Sequence, residues 1–186
     1  MEEKKRCFGD GMPEVMQVYH DEEWGVPVHD DRLLFEQLIL ETFQAGLSWL
    51  TMLQKRENFR AAFDGFDPVK IAAYDEAKCA QLMEDKGIIR NRKKIGAAVT
   101  NARVFLAIQE EFGSFDAYLW GFTGGRVIRN TDDHQCTKTE LSDAVSADLR
   151  KRGMKFVGSV TTYAYLQSVG VVNDHATWCF RYQQSE

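Results

Sequence analysis

Glu41 occupies a position where the local pattern of apolar residues predicts a buried core residue. A carboxylate at such a position limits how the surrounding segment can fold. Leu34, Leu38 and Glu41 recur at helical spacing, so the carboxylate of Glu41 points among apolar side chains. A buried carboxylate without a partner costs several kcal/mol or is driven to its neutral form. The segment therefore needs an internal cation, an exposed helix end or a ligand at this position.

The residues that follow Glu41 are consistent with a ligand site. Gln44 lies one helical turn further on, and Trp49 comes just after a break at Gly46. On this interpretation Glu41 is a recognition or catalytic carboxylate. On the alternative interpretation it forms an internal ion pair or lies at an exposed helix end, and the pattern by itself leaves both open.

The composition is that of a soluble globular protein. The chain has 186 residues, of which 44% are hydrophobic and 27% charged, and this length suits a single domain, built as one body or two lobes. No apolar run approaches transmembrane length, and Met1–Arg6 leads into no signal-peptide core, so no membrane association is expected. The four cysteines are too dispersed for a secreted disulfide framework, which indicates a reducing cytoplasm.

Almost the whole chain is predicted to be helical, with short connections marked by capping residues. Helices are expected over residues 31–45, 48–63, 67–73, 75–85, 91–111, 114–122, 140–152 and 158–169. Residues 123–139 form the one long loop. The stretch Phe156–Tyr165 has enough β-branched residues for a strand, but its length and the glycines around it favour a helix. The predicted fold class is all-α.

A concentrated basic turn interrupts this helical pattern. The stretch 75–111 is expected to fold as helix, glycine-containing hairpin and helix, and its turn carries five cations, namely Lys86, Arg90, Arg92, Lys93 and Lys94. Gly87 lets backbone N–H groups approach an anion, and the following helix presents its positive N-terminus. The turn therefore predicts a phosphate-binding site. The alternative is a solvated charged turn between two core helices.

Phosphate binding is compatible with the acidic balance of the chain. A net charge of −5 argues against a general nucleic-acid coat but leaves room for a local basic face. A second cluster, Arg150–Arg152 with Lys155, could extend that face. It is also a favourable cationic helix end, so its role stays open.

The two ends of the chain carry residues suited to a metal. Cys7 and His20 lie near the N-terminus, and His175 and Cys179 are spaced i, i+4 near the C-terminus. If the ends meet, two thiolates and two imidazoles make a closed tetrahedral zinc site, which is structural because no coordination position is left open. The alternatives are separate core cysteines with unrelated histidines, or a competing pair, His134–Cys136, in the polar loop.

Taken together, these residues resemble the DNA-3-methyladenine glycosylase I family. The similarity extends from about Arg6 to Cys179. It is carried by the linked motifs Tyr19–Pro27, Leu40–Glu41, Gln44–Trp49, Lys55–Arg60, Gly87–Arg90, Asn101–Arg103 and Lys151–Gly158. The resemblance implies a helix–hairpin–helix DNA glycosylase fold in one two-lobed domain covering residues 1–186. The hairpin element then lies at about 75–111.

The resemblance also assigns roles to the candidate residues. It implies a structural zinc held by Cys7, His20, His175 and Cys179, which joins the segments 7–20 and 175–179. It implies that the catalytic carboxylate Glu41 lies in a base pocket with Tyr19 and Trp49, and with Trp24 close by. Gln44, one helical turn after Glu41, is expected to contact the base as well. Phosphate contacts are expected from Gly87, Arg90, Arg92 and Lys93.

The expected substrate is 3-methyladenine in double-stranded alkylated DNA, acted on by a monomer. The base must leave the stack to reach the pocket. Methylation at N3 makes the base cationic in the nucleoside, so it departs as a neutral base when water attacks the sugar. Many helix–hairpin–helix glycosylases have an aspartate about twenty residues past the hairpin, whereas residues 102–107 carry no carboxylate. This fits a labile substrate and a monofunctional hydrolase; Lys86 as a lyase lysine is the weaker alternative to a phosphate contact.

Two positions depart from the family pattern, and two other functions remain open. Gly9 and Met16 stand where members commonly have aromatic residues, which predicts a looser pocket rim, with Phe8 or Met12 as substitutes. One rival function is a non-catalytic helical protein, held together by zinc, that binds DNA or nucleotides through the basic turn. The other is a binding protein or hydrolase for a small cationic molecule that leaves the basic turn unused.

Overall fold

The computed structural model describes residues 4–9, 11–129, 131 and 136–182, and this part of the chain is mostly helical. Its nine α-helices are α1 Glu14–Glu22, α2 Asp31–Gln44, α3 Trp49–Ala62, α4 Pro68–Ala72, α5 Glu76–Glu84, α6 Arg92–Phe112, α7 Phe115–Gly121, α8 Glu140–Lys151 and α9 Ser159–Ser168. A 3-10 turn covers Asp64–Phe66, and two short strands are β1 Ile128–Arg129 and β2 Val172–Asn173. None of these helices is both long and apolar enough to cross a bilayer.

Side-chain caps determine where most helices begin, and the predicted helices are present close to their expected bounds. Ser48 accepts a hydrogen bond from the amide of Thr51 at the start of α3, and Asp75 does the same for α5. The helix favoured over a strand near Phe156–Tyr165 is confirmed as α9. Helix α1 was missed because it begins after Pro13 without a side-chain cap.

The all-α prediction needs one correction. Strands β1 and β2 pair in parallel, with Ile128 opposite Val172 and Arg129 opposite Asn173. Strands of two residues show no alternation of polar and apolar side chains, so their sequence carries no strand signal. The pair attaches the predicted long loop to the segment after α9. Part of that loop, including His134 of the competing metal pair, lies outside the described residues.

Helix α2 lies at the centre of the fold. Ten consecutive residues, Leu34 to Phe43, are buried, so the helix is covered on every side. Its apolar side chains belong to a large core that also includes Phe105 from α6 and Tyr165 from α9. A smaller buried cluster of Tyr19, Trp24 and Leu53 lies beside it, and Trp49 packs against both clusters.

The N-terminal and C-terminal segments meet across the end of α9. The amide of Gly25 donates to the carbonyl of Gln167 at 2.9 Å, and the amide of Val28 donates to that of Val169 at 3.0 Å. Nearer the two ends, the amide of Phe180 donates to the carbonyl of Lys5 at 3.2 Å. The meeting of the termini that the metal hypothesis required is therefore present.

We expect Gly170→Ala to destabilise the protein by about 2–4 kcal/mol. Gly170 has φ +72°, and a Cβ there would collide with the backbone of Val26 and Pro27, so the change separates the two terminal segments. Gly96→Ala is the matched control: it lies in α6 with open space around its Cβ position and should gain roughly 0.5–1 kcal/mol. Urea denaturation measures both, and equal effects of the two changes would contradict the packing argument.

Candidate active site and metal centre

A cavity of about 450 Å³ opens where α1, α2, α3 and α9 approach the two terminal segments. Five residues predicted for the base pocket, from three different helices and the segment after α1, line it together: Tyr19, Trp24, Glu41, Gln44 and Trp49. Most of its surface is apolar and aromatic, with few polar groups. Such a cavity suits a small planar ligand that carries a few polar atoms.

Glu41 reaches this cavity from the most buried helix of the protein. Its side chain is 4% exposed, and no hydrogen bond or ion pair engages its carboxylate within the described part of the chain. Loss of hydration raises the pKa of Glu41 to about 8. Among the described residues, Glu41 therefore neither forms an internal ion pair nor lies at an exposed helix end, the two alternatives that the sequence left open. Its carboxylate instead faces a cavity.

Tyr19 and Trp49 form an aromatic wall beside Glu41. Their ring centroids lie 5.4 Å apart with planes inclined at 50°. Tyr19 is 3% exposed, and burial, followed by the nearby carboxylate of Glu41, raises its pKa well above the usual range. The phenol therefore keeps its proton at neutral pH and can donate a hydrogen bond at the cavity wall.

Gln44 both lines the cavity and holds the turn that follows α2. Its amide Nε2 donates to the carbonyl of Leu47 at 2.9 Å, and the amide of Leu47 donates to the carbonyl of Gln44 at 2.7 Å. Ser48 then caps α3, whose first residue is Trp49. The short turn 45–48 thus joins the helix that carries Glu41 directly to the helix that carries Trp49.

The rim of the cavity has an aromatic ring, but at a different position from the one that the family pattern indicated. Gly9 is exposed with φ +82°, so a ring at that position would require a strained backbone. Phe8 lines the cavity instead, with its ring centroid 4.9 Å from that of Trp24. Met16 also lines the cavity. Of the two substitutes considered, Met12 is not among the lining residues and Phe8 is.

The four residues predicted to bind a metal lie together next to this cavity. Among the residues that the structure describes, Cys7, His20, His175 and Cys179 offer ligand atoms that all lie within 4.8 Å of one another. His175 Nδ1 lies 3.4 Å from Cys7 Sγ and 3.7 Å from Cys179 Sγ. His20 Nε2 lies 3.5 Å from Cys179 Sγ. This cluster could hold a metal ion.

The outer nitrogens of the two histidines are held by oxygen acceptors. His175 Nε2 lies 2.9 Å from the carbonyl of Trp24, and His20 Nδ1 lies 2.9 Å from Asp21 Oδ1, which also accepts from Arg6. An N–H donated outward leaves the inner nitrogen as a lone pair that faces the thiols. Burial, the largest influence, lowers the pKa of His20, so its imidazole is neutral near pH 7. This arrangement is typical of metal-binding histidines.

The basic turn between α5 and α6 is held against α3. Lys55 Nζ donates to the carbonyl of Gly87 at 3.1 Å. The amide of Gly87 donates to Asp85 Oδ1 at 2.7 Å, and a Cβ there would lie 3.1 Å from Cβ of Asn58. Any larger side chain at this position would crowd α3, so glycine suits the close approach of the turn. Because its own N–H is occupied, any backbone N–H offered to an anion must come from the neighbouring residues.

The cations of this turn do not all point the same way. Arg90, Arg92 and Lys93 are exposed, as a phosphate-binding surface requires. Lys94 is 7% exposed and donates from Nζ to backbone carbonyls of α2 and the turn after it. The sequence grouped Lys94 with the surface cations. The helical spacing of Lys94, Ala98 and Asn101, which places them on the core face of α6, was the signal that could have separated it.

Comparisons with known proteins agree with this geometry. A family model described as methyladenine glycosylase matches residues 10–182. DNA-3-methyladenine glycosylase 1 of Escherichia coli (strain K12) is 45% identical over 181 residues, which are 96% of this chain and 97% of that protein. A solved structure of 3-methyladenine DNA glycosylase I from Staphylococcus aureus aligns with a TM-score of 0.90 at 35% identity, covering 95% of each chain.

A further solved structure holds the base itself. It is a variant of 3-methyladenine DNA glycosylase I in complex with 3-methyladenine, with a TM-score of 0.91 and 33% identity over 95% of this chain and 97% of that one. The fold and the cavity thus define a class of enzymes, the hydrolases that act on N-glycosidic bonds. Within that class, this chain belongs to the methyladenine glycosylase family.

We expect Glu41→Gln to stabilise the protein at high pH and to have little effect near pH 5. The carboxyl has a pKa of about 8 in the folded protein and an ordinary pKa of 4.5, so between these values the native state binds a proton that the unfolded state does not. Stability therefore falls as pH rises from about 4.5 to about 8, and the penalty approaches about 5 kcal/mol above that window.

Urea denaturation at pH 5, 7 and 9 measures this difference between wild type and Glu41→Gln. Glu110→Gln is the control, since Glu110 lies exposed on α6 and its removal should give no comparable trend. A wild-type protein as stable as Glu41→Gln at pH 9 would show that the carboxylate has a partner in solution.

Proposed function

We propose that this chain excises 3-methyladenine from alkylated double-stranded DNA by hydrolysing its N-glycosidic bond. The observation that carries the proposal is the buried carboxylate of Glu41, which faces an aromatic cavity and is engaged by no cation in the described part of the chain. A group of this kind is stabilised by a positively charged ligand. Adenine methylated at N3 is such a ligand while it is still attached to the sugar.

The cavity supplies the contacts that a base taken out of the DNA stack would need. We infer that the alkylated base is flipped and stacks on Trp49, with a cation–π contribution from its charge. The carboxylate of Glu41 accepts hydrogen bonds from the adenine edge, and the Tyr19 hydroxyl donates at the pocket wall. Neutral adenine gains no charge attraction, and its glycosidic bond is not weakened. Both the binding and the bond cleavage therefore favour the alkylated base.

The hydrolysis itself requires little from the protein. The cationic base leaves as a neutral molecule, so no acid has to protonate it. On this proposal Glu41 acts through recognition and charge, and water attacks the sugar. No carboxylate lies in residues 102–107, the stretch where related folds place an assisting aspartate. We therefore propose a monofunctional reaction without a lyase step.

We propose that the segment α5–turn–α6 is a helix–hairpin–helix element that binds the DNA backbone. The exposure of Arg90, Arg92 and Lys93 on a turn fixed to α3 supports this role. Cations on a rigid turn position a duplex through its phosphates and give a salt-dependent affinity that is the same for all sequences. Gly87 contributes by letting the turn pack closely rather than through its own N–H.

We propose that the Cys7, His20, His175 and Cys179 cluster holds a structural zinc ion. Two cysteines and two histidines are a frequent donor set for tetrahedral zinc, and both histidines have the outer hydrogen bonds that such ligands make. The ion, when bound, supplies no chemistry to the base. Its contribution is to fasten Cys7 and Phe8, which line the cavity, to the segment after α9.

A single chain supplies every lining residue of the cavity, so we propose that the enzyme acts as a monomer. We propose a reducing cytoplasm as the place of action, because Cys7, Cys79, Cys136 and Cys179 are too dispersed in the sequence for a secreted disulfide framework.

Glu41→Gln should reduce release of 3-methyladenine about ten- to a hundredfold, because it removes a charged partner of the base. The measurement is chromatography of free base released from alkylated duplex DNA, with Glu110→Gln as a control that should act like wild type. The same assay separates the rival functions. A non-catalytic DNA-binding protein would bind the duplex and release nothing, and a small-molecule protein would not bind the duplex. Unaltered release by Glu41→Gln would exclude the assigned role.

Metal analysis of protein purified without chelators should give about one zinc per chain. Cys179→Ser should lower the zinc content and the thermal midpoint together, because it removes a buried ligand. Cys79→Ser is the control: Cys79 is half-buried outside the cluster, and its change should leave the zinc content intact. A stable wild-type protein without any metal would refute the site.

A further inference from the structure

The ammonium group of Lys94 occupies an unusual place for a cation. Lys94 is the third residue of α6 and is 7% exposed. Its Nζ donates to the carbonyl of Phe43 at 2.7 Å and to the carbonyl of Ala45 at 3.1 Å. A buried ammonium is costly unless its donors find acceptors, and here the backbone at the end of α2 accepts from two of its three N–H groups.

These two carbonyls lie where helix α2 ends. The last carbonyls of a helix have no partner within the helix and carry the negative end of its dipole, so a cation is favourable there. The chain leaves the helix at Ala45, whose ψ is 117°. Lys94 therefore bridges the last turn of α2 and the first residue of the following turn, and it fixes the direction in which the chain departs.

That direction determines the geometry of the cavity. Glu41 lies just before the bridged carbonyls, and Trp49 lies just after the turn 45–48. The only other hydrogen bonds across that turn in the described structure join Gln44 to Leu47 and Ser48 to Thr51. These bonds are local, so they shape the turn without fixing it to the rest of the protein. Apolar contacts such as that of Phe43 with Phe59 pack α3 against α2, and Lys94 adds the polar link that ties the turn to α6.

The other cations in the first turn of α6, Arg92 and Lys93, point toward the solvent. Asn91 caps the helix by accepting from the amides of Lys93 and Lys94, and Arg92 and Lys93 are exposed. Thus one helical turn directs Lys93 outward, to the proposed phosphate surface, and Lys94 inward, to the end of α2. The two neighbouring lysines have separable tasks.

We propose that Lys94 is a positioning residue for the glycosylase reaction, which sets the distance between Glu41 and Trp49 by anchoring the turn that joins them. The inference rests on the proposed function, because the consequence it names is the fit of 3-methyladenine between these two side chains. Lys94 does not contact the base. Removing its ammonium group lets Trp49 move relative to Glu41.

The test compares Lys94→Met with Lys93→Met. Lys94→Met keeps the apolar stem and removes the ammonium, so we expect affinity for free 3-methyladenine to fall about tenfold and kcat to fall with it. The KM for alkylated duplex DNA should change much less. Lys93→Met should do the opposite, raising KM for DNA while the affinity for the free base is retained. Free-base binding is measured by titration calorimetry at a temperature where both variants are folded.

A conservative variant distinguishes positioning from general packing. Lys94→Arg keeps the charge and the donors, and should restore most of the affinity lost in Lys94→Met. If Lys94→Met does not fold, Lys94→Gln, which keeps a donor without the charge, is judged by the same criteria. Unchanged base affinity in the folded Met or Gln variant, or equal impairment of Met and Arg, would overturn the proposal.

Hydrogen exchange provides a measurement that does not depend on the substrate. The amide of Leu47 donates across the anchored turn, and we expect it to exchange at least about tenfold faster in Lys94→Met, while core amides of α9 keep their protection. If the wild-type chain releases no 3-methyladenine, the proposed function fails, and exchange still decides whether Lys94 anchors the turn. Equal exchange of Leu47 in both proteins would overturn the anchor itself.

Discussion

Among the described residues no cation pairs with the buried carboxylate of Glu41, and this is the constraint to which the rest of the structure is adapted. Burial raises its pKa to about 8, so the folded protein gives up stability whenever this group ionises. Helix α2 tolerates the group because ten consecutive buried residues hold the helix in place. A carboxylate on a loosely packed helix would rotate toward water and lose both its raised pKa and its direction.

The walls around Glu41 are held by polar anchors as well as by apolar packing, since Trp49 also contacts the main core. The small cluster of Tyr19, Trp24 and Leu53 is separate from the main core. Its surroundings are fastened by the Cys/His cluster at one edge and by the Lys94 bridge at the other. Such anchors set direction as well as distance, which apolar contacts alone do not.

The sequence predicted the elements that have local signals and missed those that depend on distant partners. Capping residues such as Ser48 located the helices, and the carboxylate in an apolar pattern pointed to a position that lines a cavity. The parallel strand pair and the inward direction of Lys94 depend on residues far along the chain, so no local pattern specified them. The ring of Phe8 reaches the rim because the backbone turns at the following glycine, and that turn is a property of the folded terminus.

On the proposed function, the raised pKa of Glu41 itself contributes to selectivity. At pH 7 the empty site holds a protonated carboxyl, and ionising it costs about 1.4 kcal/mol for a pKa of about 8. A cationic base repays that cost through direct attraction in a poorly hydrated cavity, whereas neutral adenine meets a neutral carboxyl and gains no charge attraction. Binding of the alkylated base is therefore coupled to release of a proton. The burial that destabilises the protein is thus the same property that lets the site recognise positive charge on the ring.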